Sequence, residues 1–112
     1  MGTGGIVAGA IAHGEVRFYR FGDKQRPVVV LTRESALGYL SAVTVAPITS
    51  TIRGVPSEVL LTEADGMKAA CAVNLHNVVT VSQAHLGRGV AMLSPERLQE
   101  ICAALGFALG CT

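Results

Sequence analysis

The chain has no tryptophan, and its three phenylalanines and two tyrosines make up only 4% of the 112 residues. Valine, leucine, isoleucine and alanine must therefore fill the core. No apolar run reaches the roughly 18 residues that a membrane-spanning helix needs, so we expect no membrane interaction. Charged residues are also few, at 15%, but the hydrophobic fraction of 50% excludes an intrinsically disordered chain.

Cysteines are few and have no metal-binding spacing. Cys71, Cys102 and Cys111 are an odd number without a CxxC or Cys/His pattern, and the eight acidic residues are scattered. We therefore expect reduced thiols in a cytoplasmic protein, with no metal and no cofactor. Cys102 is expected to pack in the core, and Cys111 to lie near a free end.

The first residues differ in composition from the rest of the chain. Residues 1–12 are rich in glycine and apolar residues, without the basic start or clear cleavage site of a signal peptide. We predict a flexible extension over residues 1–12 and a single domain over residues 13–112. A domain this small can bury only part of its many apolar residues, so we predict a homodimer that covers the rest. The alternative is an unusually aliphatic core.

Positive charge is concentrated in one segment although the net charge is only +1. Residues 17–33 hold five basic residues against Asp23 alone, a local net charge of +4. The basic residues are Arg17, Arg20, Lys24, Arg26 and Arg33. This segment is either a patch that faces phosphates or a solvated basic loop.

Short β-branched and aromatic runs predict a mainly β fold. The predicted strands cover residues 16–21, 27–32, 41–49, 57–62, 71–74, 78–81 and 88–93, with one helical turn over 34–39. Pro27 is expected to open its strand, and Pro47 to mark a bulge or an edge. So many short strands indicate a small, strongly curved antiparallel sheet or a partly open barrel.

One helix is predicted at the C-terminal end of the chain. Ser94 is a suitable N-cap, Pro95 suits the first helical position, and Gly110 suits the end. Between them, apolar residues recur at helical spacing and predict one buried face. These residues are Leu98, Ile101, Cys102, Leu105 and Leu109.

Two of the predicted strands carry, at one end, a polar residue whose side chain can bind a phosphate group. Arg26 stands just before Pro27, and Thr49 closes the strand over residues 41–49. A guanidinium and a hydroxyl held on adjacent strands can grip and polarise a phosphodiester. The alternatives are that Arg26 pairs with Asp23 and that Thr49 is simply a β-branched residue at a strand end.

Five segments in the same order resemble the MazF/PemK toxins of bacterial toxin–antitoxin modules, over about residues 14–110. They are Gly14-Glu15-Val16, residues 25–30, residues 46–51, Val59-Leu60-Leu61 and residues 93–96. The resemblance implies an SH3-like, CcdB-like curved barrel that forms a homodimer. It also implies a sequence-specific, metal-independent endoribonuclease (an mRNA interferase), which cleaves single-stranded RNA to a 2′,3′-cyclic phosphate and a 5′-hydroxyl and is neutralised by a MazE-like antitoxin.

The same resemblance places the catalytic arginine at Arg26 and the catalytic threonine at Thr49. We expect further RNA contacts from seven residues: Arg20, Lys24, Ser50, Thr51, Arg53, His76 and Asn77. The groups that move protons stay open; His76 is one candidate, and the alternative is that it is a surface or dimer-edge histidine. The alternative function is a CcdB-like binding protein that poisons DNA gyrase without catalysis.

Overall fold

The computed structural model describes residues 11–111, so most of the predicted extension over residues 1–12 lies outside the described residues. The strands within this range are β1 (Glu15–Phe21), β2 (Lys24–Val30), β3 (Ala42–Thr49), β4 (Glu58–Leu61), β5 (Cys71–Asn74), β6 (Val79–Ser82) and β7 (Gly89–Met92). The helices are α1 (Glu34–Leu37) and α2 (Pro95–Leu109), with 3-10 turns at Glu63–Asp65, Leu75–Asn77 and Gln83–His85. Neither α-helix is long and apolar enough to cross a membrane.

The strands form one curled antiparallel sheet in the order β4-β5-β3-β2-β1-β7, and β6 also pairs with β3. Strand β3 is central: its first half pairs with β6, and Ile48 and Thr49 at its end pair with β5. On its other side, residues 45–47 pair with β2. The predicted class, mainly β with one C-terminal helix and a curved antiparallel sheet, is confirmed.

Both faces of β2 and β3 are covered, which explains their nearly continuous apolar sequence. Val29 and Ala46 belong to a cluster that reaches α2, whereas Val28, Val30 and Val45 belong to a second cluster under α1 and β6. All five of these side chains are fully buried. The middle of this strand pair is therefore rigid, and it fixes the position of the polar residues at its ends.

The two prolines on strands lie at positions where the sheet requires no hydrogen bond from a backbone N–H. Strand β2 begins at Lys24, so the prediction that Pro27 opens the strand is wrong. Pro27 lies opposite Phe18, whose N–H and C=O instead bond Arg88 and Gly87. Pro47 lies where β3 changes partner from β6 to β5.

Helix α2 has the predicted ends, and Leu98, Ile101 and Leu105 of its predicted apolar face pack on the core. The Ser94 Oγ accepts the Arg97 N–H at 3.2 Å, and Gly110 ends the helix at a φ of 74°. The buried residues are Ile101 and Ala104. Cys102 and Leu109 are exposed, so the prediction that Cys102 packs in the core is wrong. Ala104 follows Cys102 by two residues, about 200° around the helix, so packing of the Ala104 side on the core turns Cys102 towards solvent.

An ion pair ties α2 to the 3-10 turn after β4. The Arg97 Nε lies 3.0 Å from Asp65 Oδ1, and Asp65 Oδ2 accepts the Thr62 N–H at 2.8 Å. The Asp65 side chain is only 9% exposed. The hydrogen bond from Arg97 is the main reason that the pKa of Asp65 lies below its ordinary value.

We expect Asp65→Asn to lower the free energy of unfolding by about 1.5 kcal/mol at pH 7, since it removes a hydrogen bond between charged groups. Because the pKa of Asp65 is lower in the folded state, this contribution is complete above the ordinary value of about 3.9. It disappears as the pH falls through the folded-state pKa. Urea titrations of both proteins from pH 7 to pH 2.5 should therefore converge at the acid end, and a constant difference would contradict this.

Candidate active site

The β2–β3 ladder stops just before the two predicted catalytic residues, Arg26 and Thr49. Its last pair is Val28 with Pro47. Continuing the same register by one pair on the same face brings Arg26 opposite Thr49, because side chains alternate with a period of two along a strand. The paired valines behind them are buried, so the rigid part of the sheet positions both side chains.

Two cavities meet at Arg26, Ile48 and Thr49, which line both of them. The smaller cavity, of about 360 Å³, is also lined by Phe21, Pro47, Thr51, Arg53, Glu58, Asn74 and Asn77. The larger cavity, of about 710 Å³, is also lined by Phe18, Lys24, Gln25, Pro27, Ser50, residues 66–71, Arg88 and Val90. We call the two cavities together the cleft, and Arg26 and Thr49 lie where they meet.

Both central side chains have hydrogen-bonding capacity left for a ligand. The Arg26 side chain is exposed and makes no hydrogen bond or ion pair with any described residue. The alternative pairing with Asp23 is not formed; the Asp23 carbonyl instead accepts from Arg20 at 3.3 Å. The Thr49 Oγ1 accepts the Thr51 N–H at 3.1 Å, so its own hydroxyl hydrogen can still be donated.

Five of the seven predicted RNA-contact residues line the cleft. Lys24 and Ser50 line the larger cavity, and Thr51, Arg53 and Asn77 line the smaller one. Arg20 and His76 line neither cavity. The His76 ring is held elsewhere, since its Nδ1 lies 2.6 Å from the Oγ of the buried Ser57.

The basic segment over residues 17–33 divides into three parts. Lys24 and Arg26 face the cleft, as a phosphate-facing patch requires. Arg17 is buried beside Glu15. Arg20 and Arg33 are exposed and line neither cavity. Of the five basic residues, only Lys24 and Arg26 therefore line a cavity.

Five polar residues of the cleft were not predicted from the sequence. Gln25, Lys68 and Arg88 line the larger cavity, and Glu58 and Asn74 line the smaller one. The Arg88 guanidinium lies 4.9 Å from the centre of the Phe18 ring, a cation–π contact. The only available signal was position: Glu58 and Asn74 stand at the ends of short apolar strands and pair with each other.

Among the described residues, Cys71 is the one thiol that lines the cleft. Burial is the main cause that raises the pKa of the Cys71 thiol in the wall of the larger cavity, so this cysteine is not an activated nucleophile. Between residues 11 and 111, no three His, Cys, Asp or Glu side chains are grouped so that they could hold a metal ion.

The fold and the cleft define a class: a small curled β protein with one closing helix and an arginine–hydroxyl pair between two central strands. The family model for the PemK-like, MazF-like toxin of type II toxin–antitoxin systems matches residues 12–109. The chain belongs to this family.

Individual relatives agree in sequence and in structure. The chain is 42% identical over 103 residues to the probable endoribonuclease MazF5 of Mycobacterium tuberculosis, covering 90% of this chain and 94% of that protein. It superposes on the M. tuberculosis toxin MazF-mt6 with a TM-score of 0.82 at 34% identity, over 88% of this chain and 98% of the other. A mycobacterial endoribonuclease solved with its cognate antitoxin has the same fold, with a TM-score of 0.84 at 24% identity, over 92% and 98%.

Proposed function

We propose that this chain is a toxin endoribonuclease, an mRNA interferase, that cleaves single-stranded RNA with Arg26 and Thr49 as its catalytic residues. The observation that carries the proposal is that Arg26 and Thr49 each line both cavities. The relatives support it, because one at 42% identity is named a probable endoribonuclease. The products are expected to be a 2′,3′-cyclic phosphate and a 5′-hydroxyl.

The chemistry requires charge stabilisation at phosphorus. When a ribose 2′-oxygen attacks the adjacent phosphorus, negative charge develops on the non-bridging oxygens. The Arg26 guanidinium stays protonated at any relevant pH and offers two parallel donors to those oxygens. The Thr49 hydroxyl, oriented by the Thr51 N–H, can donate to the same group. This arrangement supports a reaction without a metal ion.

The larger cavity is suited to the continuing RNA strand. Four cations line it, namely Lys24, Arg26, Lys68 and Arg88, and no acidic residue does among the described residues. Positive charge of this kind binds phosphates without regard to sequence. The Phe18 ring, with Arg88 packed on it, gives an unpaired base a surface for stacking. In the smaller cavity, Asn77 has the paired donor and acceptor that read a base edge.

Partners and cellular location follow from the same assignment. Several large apolar side chains are exposed, among them Met92, Phe107 and Leu109, which suits a homodimer. A cognate MazE-like antitoxin is the proposed inhibitor, as a related endoribonuclease was solved with its own antitoxin. The cytoplasm is the proposed site of action, and the three free thiols suit that reducing compartment.

The test is to incubate the purified protein with a long single-stranded RNA in EDTA and to map the new ends. We expect discrete fragments whose 5′ ends accept a kinase label without prior phosphatase treatment, because they carry hydroxyls. Gyrase supercoiling is assayed in parallel. Intact RNA together with inhibited supercoiling would favour the gyrase-binding alternative, and cleavage only after Mg²⁺ is added would overturn the metal-independent mechanism.

A further inference from the structure

Glu58 is the one carboxylate among the described residues that line the smaller cavity, which it shares with Arg26 and Thr49. Its Oε1 accepts two backbone N–H groups, from Arg53 at 3.0 Å and from Gly54 at 2.9 Å. Its Oε2 has no hydrogen-bond partner within residues 11–111. One oxygen is thus anchored, and the other is left for a bound ligand.

The local backbone holds this carboxylate in place. Glu58 begins β4 and pairs with Asn74 of β5, so its own backbone is part of the sheet. The preceding loop turns sharply at Gly54, whose φ of 73° suits glycine, and the Glu58 N–H bonds the Val55 carbonyl. The side chain therefore has little rotational freedom, and this lowers the entropy cost of using it in a reaction.

Other groups that could accept a proton are placed elsewhere. His13, His76 and His85 line neither cavity, and the larger cavity has no carboxylate among the described residues. The charged groups that share the smaller cavity with Glu58 are Arg26 from β2 and Arg53 from the β3–β4 loop, and both are cations. Attack by the 2′-oxygen requires a proton acceptor near the phosphorus.

We propose that Glu58 is the general base of the cleavage reaction, a role that rests on the proposed ribonuclease function. The 2′-hydroxyl proton passes to Glu58 Oε2 as the 2′-oxygen forms its bond to phosphorus. The bond from phosphorus to the 5′-oxygen then breaks, and this oxygen takes a proton from water. Glu58 afterwards releases its proton to solvent, so the protein ends unchanged.

The experiment compares Glu58→Gln with the parent in single-turnover cleavage of one RNA between pH 4 and pH 8. The glutamine keeps an amide oxygen for the Arg53 and Gly54 N–H groups, but it is not a base. We expect its rate at pH 7 to fall at least a hundredfold. The parent rate should decrease as the pH is lowered towards 4, because a protonated carboxyl is not a base, and this decrease should be absent in the variant.

Matched measurements separate catalysis from folding and binding. Glu63→Gln makes the same chemical change at an exposed position that lines neither cavity, and its rate should stay within twofold of the parent. Binding to the fully 2′-O-methylated RNA should be equal for the parent and Glu58→Gln, and so should the melting temperature. A variant that binds this RNA tenfold more weakly would assign Glu58 to positioning and overturn the proposal.

Failure of this inference differs from failure of the proposed function. A parent that cleaves while Glu58→Gln cleaves within twofold overturns the general base only. A parent that leaves RNA intact overturns both. If Glu58→Gln does not fold, Glu58→Asp decides: it keeps the charge but shortens the side chain by one methylene, so its rate should fall at least tenfold, and a rate within twofold of the parent overturns the proposal.

Discussion

Arg26→Ala should cleave RNA about a thousandfold more slowly than the parent in single-turnover reactions. Removing one preorganised donor to a developing oxyanion costs a hundredfold to a thousandfold in other enzymes, and here the donor also carries a full charge. Arg26→Lys should recover only part of the rate, since an ammonium is a point charge without the guanidinium's two parallel donors. Because Arg26 is exposed and makes no contact that the fold depends on, its melting temperature should not change.

Arg33→Ala is the matched control for the loss of one positive charge. Arg33 belongs to the same basic segment and is exposed, but it lines neither cavity. Its cleavage rate should stay within twofold of the parent. Equal cleavage by the parent and Arg26→Ala would mean that the site is placed wrongly or that the preparation contains another nuclease, and equal losses in both variants would mean that only total charge matters.

The strands and the long helix were predictable because local chemistry determines them. Cys71–Asn74 was predicted with its observed bounds, and Ser94, Pro95 and Gly110 mark the ends of α2 as predicted. The apolar pattern did not determine how α2 is rotated about its own axis. Leu109 and Cys102 continue an apolar repeat, but only contact with the sheet decides which side is buried, and there Ala104 is buried while those two residues are exposed.

The central pair of the candidate site was predictable because both residues lie on strands. Arg26 and Thr49 belong to β2 and β3, and the antiparallel register of these strands brings them to the same two cavities. Glu58, Lys68 and Arg88 come from three other parts of the chain, and they reach the cleft through contacts between segments that are far apart in the sequence. No local pattern in the sequence indicates such contacts.

Loss of the buried arginine should have the largest effect on stability. Arg17 is 8% exposed, and its Nη1 lies 3.1 Å from Glu15, while its Nε donates to the Gly87 carbonyl at 2.8 Å. Arg17→Met would leave the Glu15 carboxylate mostly buried without its cation. Breaking a buried pair from one side costs about 3 kcal/mol, so urea denaturation should show a loss of this size.

Replacing both Glu15 and Arg17 tests whether the loss of stability comes from the unpaired Glu15 carboxylate. Glu15→Gln with Arg17→Met should lose less stability than Arg17→Met alone, because no unpaired carboxylate remains to be buried. Arg20→Met, on the same strand but exposed, should change the free energy of unfolding by no more than about 0.5 kcal/mol. If the single Arg17→Met variant unfolds at the parent's urea midpoint, the pair contributes nothing to stability. If the double variant is less stable than the single one, Glu15 stabilises β1 through its bond from the Ala12 N–H rather than through Arg17.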